Sequence, residues 1–145
     1  MNKILIDTDV ILDFFFDRKP FSKYATSIIS LCEANKIKGF ITPVICSNVY
    51  YLLKQTSSHD RVIDKLKQLL TITDVLLMDK EVIQNALNSR FNDFEDALQN
   101  FAAIKHCEID AIITRNLKDY KKSKIGVLTP ETYVKSQVFS IVPVS

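Results

Sequence analysis

The stretch Ile4-Leu5-Ile6-Asp7-Thr8-Asp9 decides the fold of this 145-residue chain. Three consecutive apolar side chains that end at an acidic residue are typical of a strand buried on both faces, as strands of a parallel sheet are. Four more short runs of this kind follow, and each is separated from the last by a segment with turn or helix character. We predict these strands at residues 39–42, 75–78, 111–114 and 126–128.

Helices are predicted between the strands from their apolar periodicity and their start signals. Pro20 and Pro43 stand where a helix tolerates proline. The predicted N-caps are Ser57 or Ser58, Asp79, and Asn92 or Asp93. The predicted helices cover residues 20–35, 43–55, 58–70, 79–88, 93–106 and 130–137, and residues 10–16 form a short helix or turn. Strands that alternate with helices predict an α/β domain with a mostly parallel sheet of about five strands. The length fits one domain over residues 1–145.

Composition excludes several classes of protein. Nineteen Lys and Arg against seventeen Asp and Glu give 19 − 17 = +2, so bulk charge alone does not predict a nucleic-acid binder. Two isolated glycines exclude a phosphate-binding loop and a dinucleotide fingerprint. Two histidines and three widely spaced cysteines offer no zinc-binding spacing, and we expect reduced thiols. No stretch has the apolar length of a signal peptide or membrane span, so we expect a cytoplasmic protein without membrane contact.

Acidic residues from distant segments are predicted to meet at one edge of the sheet. Asp7 ends the first strand, Asp96 lies in the first turn of the helix before the fourth strand, and Asp119 follows that strand. Strand carboxyl ends and helix amino ends share an edge in parallel α/β sheets. Two carboxylates about 4 Å apart repel by on the order of 4 kcal/mol at an effective dielectric near 20. A hard divalent cation such as Mg²⁺ offsets that cost, and water activated by it can attack a phosphodiester.

Most of these charges also have a simpler interpretation. Asp93, Glu95 and Asp96 fit ordinary capping and compensation of the helix dipole. Asp9, Asp13 and Asp17 are spaced for one solvated helical face, although Asp9 lies close enough to Asp7 to support the site. A basic stretch is either a solvated face or a contact with a nucleic-acid backbone. It comprises Arg115, Lys118, Lys121, Lys122 and Lys124.

The chain resembles the PIN-domain family in three stretches, which are ILIDTDVILD (residues 4–13), DFEDALQ (93–99) and IITRNLKDY (112–120). The resemblance extends over about residues 4–133. It implies a three-layer α/β/α sandwich and a nuclease, usually a ribonuclease, that depends on Mg²⁺ or Mn²⁺. Many small prokaryotic members resemble the toxins of toxin–antitoxin modules and form homodimers. We therefore expect an RNA substrate, an antitoxin protein as partner and a homodimer.

The resemblance also assigns roles to individual residues. Asp7, Asp96 and Asp119 match the family's acids, which implies that they hold the metal and carry catalysis. Thr8 and Asn116 match polar residues that orient the site by hydrogen bonds. The other supporting residues that we expect are Asp9, Asn48, Asp93, Glu95 and Thr114. Arg115, Lys118 and Lys121 are expected to contact the nucleic acid.

Two positions depart from the family pattern. Asn48 stands on the helix after the second strand, where the family commonly has Glu. An amide cannot supply that negative charge, so metal affinity should fall or Asp93 or Glu95 must substitute. Asp9 stands where Asn or Ser is more common, and its carboxylate would restore one negative charge to the site.

Two other functions remain open at the level of sequence. Asn48 is compatible with a degenerate module that binds RNA or protein without cleaving RNA. Such binding would survive Asp7→Asn and would not change when a chelator is added. Asp7-Thr8-Asp9 also has the Asp-x-Asp spacing of phosphatases that form a phosphoaspartate. That chemistry would need a lysine at the end of a late strand, where Thr114-Arg115-Asn116 is a poor match.

Overall fold

The computed structural model describes residues 2–106 and 108–141, with side chains described as far as residue 137. Five strands form a single sheet in the order β3-β2-β1-β4-β5, and every neighbouring pair is parallel. The strands are β1 (Lys3–Ile6), β2 (Lys38–Ile41), β3 (Thr73–Val75), β4 (Ala111–Ile113) and β5 (Gly126–Leu128). This topology confirms the predicted parallel α/β sheet.

Helices cover both faces of the sheet within the described residues. They are α1 (Thr8–Phe15), α2 (Ser22–Glu33), α3 (Pro43–Lys54), α4 (His59–Ile72), α5 (Lys80–Leu87), α6 (Phe94–Lys105) and α7 (Pro130–Ile141). Helix α1 packs on α2 and α3, α2 packs on α7, and α3 packs on α4, whereas α5 pairs with α6. The result is the predicted three-layer α/β/α sandwich. No helix in this described part is both long and apolar enough to cross a membrane.

All three helix starts have a predicted residue as their N-cap, with Ser58 rather than Ser57 and Asp93 rather than Asn92. The side chains of Ser58, Asp79 and Asp93 accept hydrogen bonds from the backbone N–H groups of the first helical turn. Thr42 caps α3 in the same way, with Pro43 at the first helical position. Each cap satisfies a donor that the helix itself leaves free.

The predicted third strand was two residues out of place. The structure has it at Thr73–Val75 rather than at residues 75–78, directly after α4, which runs on to Ile72. Pairing with β2 fixes this position, because Gly39 lies opposite Thr73 and Ile41 opposite Val75. The apolar run at residues 75–78 did not indicate a strand buried along its whole length, because Leu77 is 69% exposed.

Smaller differences concern helix ends and unassigned segments. Helix α2 begins at Ser22 rather than at Pro20, and a 3₁₀ helix at Leu117–Tyr120 was not predicted. Helix α7 continues past the predicted end at residue 137, while the structure of residues 142–145 in the unassigned tail lies outside the described residues. Cys32 and Cys46 are free thiols as expected, and Cys107 lies outside the described residues.

The two central strands create the opening in which the site lies. Ile4, Leu5 and Ile6 of β1 are completely buried, as are Ile112 and Ile113 of the adjacent β4. From β1 the chain moves outward to β2 and β3, then returns across the other face to β4. Connections that leave two neighbouring strands in opposite directions open a crevice at their carboxyl ends, where parallel α/β proteins bind ligands.

Candidate active site

Asp7 lies at the base of this crevice and is held by three hydrogen bonds. Its Oδ1 accepts from the Thr8 backbone N–H at 2.8 Å, which caps α1, and its Oδ2 accepts from the Thr114 hydroxyl at 3.0 Å and the Tyr120 hydroxyl at 3.2 Å. Burial, and then the charge of Asp9, raise the pKa of Asp7 to about 6 despite these donors. The side chain is therefore fixed in position while its negative charge is only partly compensated.

Asp96 faces the same region from the first turn of α6. Partial burial, followed by the charges of Asp93, Asp7 and Asp119, raises the pKa of Asp96 to about 7. A hydrogen bond from the Tyr120 hydroxyl opposes this rise in part. Tyr120 thus lies between the carboxylates of Asp7 and Asp96, and the two carboxylates raise its own pKa well above the usual value, after burial as the main cause.

Asp9 adds a third carboxylate from α1. Its Oδ2 accepts from the Arg115 backbone N–H at 2.9 Å and lies 3.4 Å from the Thr114 hydroxyl. Its Oδ1 is buried and has no hydrogen-bond partner in the described part of the chain, and burial raises the pKa of Asp9. A buried oxygen without a partner costs about 1–3 kcal/mol, and more when it is charged.

These carboxylates line a cavity of about 530 Å³. Asn48 of α3 and Glu95 of α6 lie at the same cavity, where the Asn48 Nδ2 donates to the Glu95 Oε2 at 2.9 Å. Deeper in the protein, the Thr42 hydroxyl donates to the Gln99 Oε1 at 2.6 Å and ties the start of α3 to α6. Sequence analysis missed Gln99, because only its burial in the folded chain distinguishes it from a surface glutamine.

The remaining predicted residues lie beside this cavity. Asp119, Lys118 and Lys121 line a small neighbouring cavity of about 40 Å³, together with Asp93 and Asp96. Asn116 and Thr8 line the main cavity, and the Asn116 backbone N–H donates to the Thr114 hydroxyl at 3.1 Å. The structure therefore gathers the predicted acids along one edge, with Asp119 at its exposed side.

Arg115 and Asp13 form an ion pair that the sequence did not predict. The Arg115 Nε and Nη2 donate to the Asp13 carboxylate at 2.7 and 3.1 Å, and the Arg18 Nε forms an ion pair with it at 3.0 Å. Asp13 is fully buried, so its predicted place on a solvated helical face was wrong. The partner lies 102 residues away in sequence, and no local pattern indicates it.

The carboxylates fit a divalent cation only with help from water or substrate. No group of three or more Asp, Glu, His or Cys side chains lies close enough to hold a metal ion, within the part of the chain that the structure describes. Mg²⁺ commonly takes one or two protein carboxylates and completes its shell with water and phosphate oxygens. Asp7 and Asp96 lie close enough for the charge of Asp7 to raise the pKa of Asp96, and the unpartnered Asp9 oxygen belongs to a residue that lines the same cavity.

A PIN-domain family model matches residues 3–118, and the chain belongs to the PIN-domain family. It is 28% identical over 137 residues to Ribonuclease VapC1 of Aquifex aeolicus (strain VF5), a match that covers 90% of this chain and 92% of that protein.

Two solved structures show the same fold. A toxin–antitoxin complex from Klebsiella pneumoniae matches with a TM-score of 0.66 at 22% identity, covering 88% of this chain and 97% of that one. PAE2754 from Pyrobaculum aerophilum matches with a TM-score of 0.63 at 16% identity, covering 94% of this chain and 98% of that one. The resemblance noted in the sequence is thereby confirmed.

Proposed function

We propose that this protein is a ribonuclease that depends on Mg²⁺ or Mn²⁺ and acts as the toxin of a toxin–antitoxin pair. The observation that carries the proposal is the pair Asp7 and Asp96, joined through Tyr120 at the carboxyl ends of β1 and β4. Membership of the PIN-domain family and the similarity to Ribonuclease VapC1 support it. The similar fold of the Klebsiella pneumoniae toxin–antitoxin complex supports an antitoxin partner.

In this proposal, different residues of the chain would hold the ion, position a carboxylate and bind the RNA backbone. Asp7 and Asp96 would hold the ion, with Asp119 reaching it through water. When bound, the ion would supply an activated water and neutralise charge on the phosphate. Thr114 and Tyr120 keep the Asp7 carboxylate in place by donating to its Oδ2. Lys118 and Lys121, beside Asp119, would hold the RNA backbone by charge.

Glu95 would supply the carboxylate that the family commonly has at the position of Asn48. The Asn48 amide donates to one Glu95 oxygen and orients that side chain at the mouth of the cavity. An amide beside the carboxylate adds no repulsion, whereas an acid at position 48 would repel Glu95. In this proposal Asn48 is a positioning residue and the site keeps its full set of carboxylates.

The direct test is cleavage of labelled single-stranded RNA by the purified protein in Mn²⁺, in Mg²⁺ and in EDTA. We expect cleavage only with metal, a loss of more than about 100-fold in Asp7→Asn and Asp96→Asn, and a loss of about 10–100-fold in Glu95→Gln. Asp64→Asn, an exposed acid on α4, is the matched control and should cleave normally.

The same experiment separates the second candidate function, a degenerate module, which Asn48 favours. In that case the wild type would not cleave, calorimetry would detect no metal binding, and RNA binding would survive both Asp7→Asn and EDTA. Cleavage that is unchanged in Asp7→Asn would contradict the proposed site itself.

A further inference from the structure

A second cavity of about 510 Å³ adjoins the carboxylate cavity and shares one wall with it. It lies between the start of α2 and the start of α7, and apolar and aromatic side chains make up most of its lining. Phe21 and Tyr24 contribute the aromatic surface, Glu131 is its acidic group, and Arg115 lines both cavities. Its volume lies within the usual range for small-ligand pockets.

Phe21 and Arg115 form a fixed stacking surface in this cavity. The Arg115 guanidinium carbon lies 3.9 Å from the centroid of the Phe21 ring, and the same guanidinium is held by the buried Asp13. Phe21 is nonetheless 42% exposed. An aromatic ring that is held in place and open to solvent presents a flat apolar face, which suits a planar ligand.

We propose that this cavity binds one unpaired base of the RNA substrate, next to the scissile phosphate, by stacking on Phe21. The proposal rests on the ribonuclease function proposed above, because Arg115 lines both cavities and places this one beside the carboxylates. Proteins that read single-stranded RNA commonly stack splayed bases on aromatic side chains and guanidinium planes. Such stacking tolerates any base, since every base has a π face.

The charges favour a base over a phosphate inside the cavity. Asp13 and Asp9 already compensate the charge of Arg115. Lys135 is paired with Glu131, the acidic group of the cavity, at 2.8 Å. Further positive charge beside the cavity comes from Lys23, whose ammonium group lies 5.4 Å from the centroid of the Tyr24 ring. This lysine is placed for a phosphate that flanks a bound base.

The test uses the inactive Asp7→Asn protein and a short RNA whose cleavage position has been mapped with the wild type. Fluorescent 2-aminopurine replaces one base at a time, at two positions on each side of the scissile phosphate. We expect binding to quench the fluorescence at one position only. Adding Phe21→Leu should abolish that quenching and weaken binding by roughly 5- to 150-fold, and Phe21→Trp should preserve both.

The matched control is Phe16→Leu in the same background. Phe16 is also an exposed ring beside an arginine, with the Arg18 guanidinium 5.6 Å from its centroid, and it does not line the cavity. Quenching and affinity should stay as they are in Asp7→Asn alone. A second comparison uses proteins that keep Asp7 and therefore cleave. Removing from the RNA the base at the quenched position should lower kcat/KM strongly for the wild type and little further for Phe21→Leu.

Three results would overturn the inference. Quenching at no position, with the wild type still cleaving, would remove the base site and leave the ribonuclease intact. Quenching that persists in Phe21→Leu would place the base elsewhere. Protection of Phe21 by a protein partner but not by RNA would assign the cavity to that partner. Absence of both cleavage and RNA binding in the wild type would instead remove the proposed function, and the inference with it.

Discussion

Tyr120 links the two central carboxylates of the site. Its ring is almost completely buried and packs edge-on against Phe91, while its hydroxyl donates to the Asp7 Oδ2 and interacts with Asp96. Two carboxylates that share one donor are held at a defined separation. Fixing that separation before an ion arrives lowers the cost of binding it.

Replacing Tyr120 with Phe tests this role. The ring and its packing remain, so the fold should persist, but the donor to Asp7 is lost. We expect Mg²⁺ affinity measured by calorimetry to fall about 10–100-fold, with a parallel loss of cleavage at subsaturating metal. Tyr133→Phe is the control, since Tyr133 is another buried tyrosine, whose hydroxyl accepts from Asn2 at 3.3 Å. Equal metal affinity in the two variants would contradict the role assigned to Tyr120.

At the scale of elements, α2 packs unusually close to β2. An added Cβ at Gly39 would lie 2.7 Å from the Cys32 Sγ and 3.0 Å from the Ile6 Cδ1. Burial raises the pKa of Cys32 to about 11, so this thiol packs as an uncharged, apolar group. Gly39 therefore allows the helix and the sheet to approach closely. Its backbone conformation does not itself require glycine, because its φ is not positive.

Gly39→Ala should accordingly destabilise the protein by about 1–3 kcal/mol in urea denaturation, because the core around it is closely packed. Gly126→Ala is the matched control, since it is also a strand glycine, and its added Cβ would lie 3.7 Å from the nearest atom, the Asp110 carbonyl oxygen. It should change stability little. Adding Cys32→Ala to Gly39→Ala should recover part of the loss, and failure to do so would mean that the sulfur is not the obstacle.

For the whole molecule, the carboxylates whose negative charge is not fully compensated make the stability depend on pH. The pKa values of Asp7 and Asp96, about 6 and about 7, lie above the usual value near 3.9. Between about pH 4 and pH 7 the folded protein thus keeps protons that the unfolded chain has lost. The contribution of these sites to stability is therefore greatest at low pH and is lost as pH rises through this range.

In EDTA, we therefore compare the Tm at pH 5.5 with the Tm at pH 8. The Tm at pH 5.5 minus the Tm at pH 8 should be more positive for the wild type than for Asp7→Asn. Adding Mg²⁺ at pH 8 should raise the Tm of the wild type, because the ion binds the folded form. The same addition should have little effect on Asp7→Asn. A pH dependence that is identical in the two proteins would show that Asp7 does not carry a raised pKa.

The apolar surface of α5 is a candidate contact for the homodimer that the family resemblance implies. Leu87 is 67% exposed, and Ile83 lies one turn before it on the same face, with exposed Leu77 just ahead of the helix. We expect light scattering to give twice the mass of one chain for the wild type. Leu87→Glu should give the single-chain mass, whereas Leu70→Glu, at an exposed position on α4, should not. A wild type with the mass of one chain would contradict the dimer.

Local sequence was sufficient to predict most of the fold. Buried strands, N-caps and apolar helix faces depend on neighbouring residues, so β1, the caps at Ser58, Asp79 and Asp93, and the parallel α/β sandwich were predicted correctly. The edge to which Asp7 and Asp96 belong followed from the same rules, because strand order and helix direction fix it. The third strand was misplaced, because pairing with β2 outweighed the apolar run that marked it.

Only the tertiary structure decided how the side chains at this edge are partnered. Asp13 is a buried partner of Arg115, Asn48 holds Glu95, and Tyr120 joins Asp7 to Asp96, each across a long separation in sequence. Such pairs arise from distance and burial in the folded chain, neither of which has a local signature. The sequence by itself determined the family, the sheet and the acids, and three-dimensional packing determined which charges are compensated and which are not.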